Sequence, residues 1–94
     1  MINASIASDF GTIWMQAETD RITFSVGVKQ PLTVNGIAVY GDVTYERRAG
    51  KWTQVAKHGW LRPVESRDGT GRLQRVSTAA RRKVEKFLES KLAA

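Results

Sequence analysis

The sequence predicts an α+β domain: an antiparallel β-sheet of four to six strands with one C-terminal α-helix packed on a face. Three observations carry this. Residues 21–29 (RITFSVGVK) alternate apolar and polar side chains without a break, the period of a half-buried strand. Turn signals at Asn35-Gly36 and Ala49-Gly50 cut the following chain into extended runs. From Ser77 the period becomes helical, with Ala80, Val84, Phe87, Leu88 and Leu92 on one stripe. The sheet is expected over about 11–76 and the helix over about 78–92, in a single domain spanning 1–94.

The elements follow in order. Residues 11–18 are rich in β-formers, and Glu18 to Arg21 can turn the chain into 21–29, giving a first hairpin. Ile22, Phe24, Val26 and Val28 take its apolar face. Pro31 ends the pairing or sits at an edge. After Asn35-Gly36 a long strand begins, with Ile37, Val39, Val43 and Tyr45 on one face and Gly41 among them. Ala38, Tyr40, Asp42, Thr44 and Glu46 take the other. Gly41 marks a bulge or bend. The chain then returns as KWTQVAK (51–57). A three-residue loop of Arg48, Ala49 and Gly50 sets Val43 opposite Val55, and is preferred because apolar then meets apolar. A two-residue loop sets Thr44 there instead. Beyond His58-Gly59, WLRPVE is expected as a short edge strand. SRDGTGR (66–72) is a loop with its turn at Asp68-Gly69, and LQRV (73–76) pairs back. Ser77 or Thr78 caps the helix, whose apolar stripe covers the sheet.

Composition narrows the function classes. Hydrophobic content of 41% and charged content of 26% are those of a folded domain. Without cysteine there are no disulfides and no thiolate metal ligands, which suits a reducing cytoplasm. No apolar run is long enough for a membrane span, and MINASIASDF lacks the basic and apolar regions of a signal peptide.

Catalytic patterns are missing. The single histidine, His58, has no nucleophile or orienting acid at a telling spacing. No His, Asp and Glu cluster has metal-ligand spacing. Glu85 and Glu89 share a helix face with Arg81, Arg82 and Lys86 placed to neutralise them. DGTGR (68–72) lacks the remaining glycine, lysine and hydroxyl of a phosphate loop. The chain is therefore expected to be no enzyme and to hold no cofactor or metal.

Charge points the other way, toward binding. Residues 1–45 hold two cations and four anions, a net of −2; residues 46–94 hold thirteen cations and five anions, a net of +8. Such asymmetry implies an anionic partner, nucleic acid or an acidic protein. In ERRAGKW (46–52), Arg47, Arg48 and Lys51 crowd a hairpin tip, and cations directly opposed across strands repel. Arg81, Arg82 and Lys83 sit near the positive pole of the helix, where a cation costs roughly 0.3–1 kcal/mol. Trp52 and Trp60 lie among Lys51, Lys57 and Arg62, and rings among cations form a stacking platform for bases. Solvated charge and core tryptophans would leave the same pattern. The candidate binding set is Arg47, Arg48, Lys51, Trp52, Lys57, Trp60, Arg62, Arg72 and Arg75.

GDVTYERRAGKW (41–52) and STAARRKVEKFLESKL (77–92) together resemble small uncharacterised proteins of actinobacteria and their phages. The resemblance implies an accessory protein of a phage or mobile element, acting in the cytoplasm of a bacterial host. The expected function is non-enzymatic binding of nucleic acid through the basic second half. The alternatives are an effector that binds an acidic host protein or defence complex, and a self-assembling structural protein whose sheet edge or Trp-bearing face forms a homo-oligomer.

Overall fold

The computed structural model describes residues 1–64 and 75–92. Six strands and one helix follow in order: β1 (Ile2–Ser8), β2 (Gly11–Ala17), β3 (Arg21–Val26), β4 (Leu32–Val34), β5 (Ile37–Arg48), β6 (Lys51–Pro63) and α1 (Thr78–Leu92). All pairings are antiparallel. β1, β2 and β3 form a meander. β3 and the short β4 share one edge of β5, along residues 41–46 and 37–39, and β6 takes the other. Among the described residues β1, β4 and β6 each pair on one side only, and the outer side of the short β4 meets the β1–β2 turn, where the Thr33 amide donates to the Phe10 carbonyl at 2.9 Å. This is the α+β architecture the periodicities predict.

The expected apolar face is the buried one. Phe24 meets Val43 across β3 and β5, with Ile13, Val26, Val39 and Tyr45 around them, all buried. The Phe24 and Tyr45 rings pack edge to face at 6.0 Å. Ser77 caps α1: the Ala80 amide donates to Ser77 Oγ at 3.1 Å. The helix buries Ala80, Val84, Leu88 and Leu92 against this face. Phe87 departs from the expected stripe. It is only partly buried, and the Lys91 ammonium lies over its ring at 5.3 Å. Glu85, on the opposite flank of the stripe, is buried.

Other expectations need correcting. The N-terminal stretch is a seven-residue strand, β1, in unbroken register with β2 from Ile2↔Ala17 to Ser8↔Gly11. β3 ends at Val26, and Val28 is exposed in the turn that follows. His58-Gly59 does not end a strand: β6 runs through it to Pro63. The loop expected over 66–72 and the first half of LQRV lie outside the described residues. Arg75 and Val76 are described and lie outside the sheet.

The tip loop has two residues, not three. Arg48 pairs with Lys51, and both Ala49 (φ +52°) and Gly50 (φ +78°) have positive φ, as a type I′ turn requires. Val55 faces neither Val43 nor Thr44. It is the extra residue of a bulge between Tyr45↔Gln54 and Thr44↔Ala56, which sets Val43 opposite Lys57. Alanine in the left-handed region costs roughly 1–2 kcal/mol, whereas asparagine tolerates it. Ala49→Asn is expected to stabilise the domain by up to about 1 kcal/mol. A thermal melt should then rise by roughly 4–8 °C per kcal/mol gained. An unchanged or lower Tm would contradict the strained-turn account.

A larger irregularity sits further along. Asp42 faces His58 and Tyr40 faces Arg62, so Gly59, Trp60 and Leu61 together oppose Gly41 alone. Neighbouring residues in a regular strand point to opposite faces. The bulge breaks that rule, with φ +56° at Gly59 and +57° at Leu61, and both Trp60 and Leu61 turn into the core.

Candidate nucleic-acid interface

The tip is built from β5, β6 and the β2–β3 turn. Asp20 in that turn accepts from Arg47 Nη2 at 2.7 Å and from Nε at 2.9 Å, while the Arg47 amide donates to the Asp20 carbonyl. The Arg47 guanidinium also lies over the Trp52 ring at 5.6 Å, since Arg47 and Trp52 are cross-strand partners. Glu46 accepts from Arg48 at 3.0 Å and from Arg21 at 3.2 Å. The tip thus carries its own anions. Arg47 and Arg48 are held by carboxylates, and Trp52 is half-buried beneath Arg47. The pairs are solvent-exposed, so each contributes little to stability.

The remaining candidates separate. Trp60 is 5% exposed and belongs to the core, so it cannot stack on a base. Arg72 lies outside the described residues. Lys51, Lys57 and Arg62 are exposed along β6, opposite Arg48, Val43 and Tyr40, a stretch of β5 about 26 Å long at roughly 3.3 Å per residue. None has a carboxylate within 4 Å among the described residues. Arg75 is exposed just before the helix and is likewise unpaired among them. Of the nine expected residues, Lys51, Lys57 and Arg62 lie on β6, Arg47 and Arg48 are ion-paired at the tip with Trp52 beneath Arg47, Trp60 is in the core, Arg75 is exposed ahead of the helix, and Arg72 lies outside the described residues.

The helix adds a polar anchor. Glu85 is 6% exposed and accepts from Arg82 Nη1 at 2.9 Å and from Gln54 Nε2 at 3.3 Å. The Gln54 amide also reaches the Tyr45 hydroxyl at 3.3 Å. Arg82 bonds Glu89 as well, and the hydrogen bonds to Glu85 and then Glu89 raise its pKa. Burial pushes the Tyr45 hydroxyl above its usual range; the bond from Gln54 opposes this, and Glu85 and Glu89 reinforce it. This network fixes α1 to the β5–β6 hairpin. Lys83 donates to Asn35 in the β4–β5 turn, and Leu92 and Glu89 line a shallow depression with Gly50, Lys51 and Trp52. The helix therefore packs over β4 and β6, with Lys83 reaching the β4–β5 turn and Leu92 near the β5–β6 turn.

One surface aromatic escaped the sequence reading. Trp14 is 47% exposed on the sheet face opposite α1. It stands in a row Ser5, Trp14, Ser25, Asp42, His58 that crosses five strands. Its signal was its phase: in GTIWMQA the ring occupies the polar register, between Ile13 and Met15. No group of three or more His, Asp and Glu among the described residues is placed to hold a metal ion. No described helix is long and apolar enough to cross a membrane. The chain matches no family model, no curated protein and no solved structure.

Proposed function

We propose that this chain is a non-enzymatic binding module that engages a nucleic-acid backbone along the β6 edge. One observation carries the reading: Lys51, Lys57 and Arg62 line a single exposed strand without carboxylate partners among the described residues, while the nearby carboxylates are taken up at the tip. Lys51 and Arg62 on the open side of this edge strand and Lys57 on the helix side can together grip a polyanion along the edge, and release of its counterions drives binding. Trp14 offers a ring for an unpaired base on the open face. The resemblance of residues 41–52 and 77–92 supplies the setting, an accessory protein of a phage or mobile element in a bacterial host.

Cations on an edge strand also prevent unwanted strand pairing. The two roles part in a binding experiment. Unrelated duplex and single-stranded DNA and RNA are titrated at low salt, against the wild type and a Lys51→Gln, Lys57→Gln, Arg62→Gln variant. The variant should keep its melting temperature and bind weakly. Three lost duplex phosphate contacts should flatten the log affinity against log salt slope by about 2.7, at roughly 0.9 per contact. Absence of binding to any of these at tens of micromolar wild type, about where non-specific binding appears, rejects the reading and leaves an acidic protein as the partner.

A further inference from the structure

The two long edge strands among the described residues, β1 and β6, are built differently. β6 carries Lys51, Lys57, His58 and Arg62, a wide bulge, and Pro63 at its end. Each of these hinders pairing with another strand. β1 has none of them. INASIAS contains no charge and no proline, and its register with β2 has no bulge. Such an edge presents unpaired backbone donors and acceptors to any matching strand.

The strand also matches itself. Read outward from Ala4, Ile2 and Ile6 are symmetric, as are Asn3 and Ser5. We propose that β1 pairs antiparallel with β1 of a second copy about a two-fold axis at Ala4. Ile2 then meets Ile6 of the second copy, Ala4 meets Ala4, and Asn3 meets Ser5. Apolar side chains face apolar ones on the helix side of the sheet, and polar face polar on the open side. The axis is normal to the sheet, so both helices lie on one face of a continuous twelve-stranded sheet. Ile2, 66% exposed in the single chain, gains cover. Like charges do not meet within the strand pair, because β1 carries no charged side chain, and Lys51, Lys57 and Arg62 lie on β6, at the opposite edge. The strand contact is smaller than the standard interface of roughly 1,200–2,000 Å², so the dimer is expected to dissociate in the micromolar range. This inference is independent of nucleic-acid binding, and its test contains no nucleic acid.

The test is sedimentation equilibrium across micromolar to submillimolar concentrations. The wild type should pass from monomer to dimer. Ala4 is exposed, so Ala4→Lys and Ala4→Glu should fold with unchanged circular dichroism and Tm. Each alone should remain monomeric, since like charges meet at the axis. An equimolar mixture of the two should recover a dimer, because lysine then meets glutamate. The Lys51→Gln, Lys57→Gln, Arg62→Gln variant should dimerise as the wild type does. A wild type that stays monomeric throughout, a folded Ala4→Lys that still dimerises, or a mixture that stays monomeric would each overturn the proposal.

Discussion

Gly41→Ala is expected to destabilise the domain by about 3 kcal/mol or more, from backbone strain and overpacking together. Gly41 has φ +136°, where side chains are rarely tolerated. A Cβ there would overlap the Gly59 carbonyl and come within 2.8 Å of Trp60 Cα. These are backbone atoms and cannot rotate aside. Relief requires opening the bulge, which would withdraw Trp60 and Leu61 from the core. In a domain holding about 5–10 kcal/mol in total, that is a large fraction. Gly27 supplies the control, since a Cβ there meets nothing within 4 Å. Gly27→Ala should be neutral or stabilise by roughly 0.4–1 kcal/mol. Urea unfolding of the two variants measures the contrast; equal stabilities would show that the close approach of Gly41 to Gly59 does not hold in solution.

Trp60→Ala is expected to cost about 3–5 kcal/mol, the range for removing a buried large aromatic. The ring packs with Leu61 and the apolar face of α1 in one cluster. Its Nε1 has no hydrogen-bond partner among the described residues. Trp60→Phe removes that unpaired group and keeps much of the volume, so it should cost far less than the alanine. A stacking tryptophan would behave in the reverse way, with alanine nearly neutral for folding and damaging for binding. Denaturation and DNA titration of both variants distinguish the two roles.

The parts of the fold governed by local period were legible. The alternation of 21–26 and 37–48 placed Phe24, Val43 and Tyr45 on the buried face, and Asn35-Gly36 announced its turn (φ +51° and +80°). What failed depended on residues distant in the chain. Arg47 looked unpartnered because Asp20 lies 27 positions earlier. Trp60 looked available because its burial follows from a bulge between Gly41 and Gly59, a contact invisible in one dimension. The Val43–Val55 pairing looked favourable by composition, but the bulge at Val55 and the two-residue turn moved both. β1 was missed because INASIAS mixes small and polar residues, and its strand conformation comes from pairing with β2. In the candidate site, Lys51, Lys57 and Arg62 were legible as charge, whereas the ion pairs of the tip and the exposed Trp14 became visible only once the strands were in register.

The order of pairings along the sheet also bears on how the chain assembles. β1–β2, β2–β3, β4–β5 and β5–β6 each join consecutive strands through a short turn, so they can zip locally and quickly. β3–β5 is different: it brings Val26 to Gly41 and Arg21 to Glu46, with β4 in between. The entropic cost of sheet formation concentrates in that one closure, which must be met before Phe24 and Val43 reward it. Two preformed hairpin units therefore meet at a single seam, and the β4–β5 turn at Asn35-Gly36, by folding β4 back beside β5, shortens the chain that has to be closed.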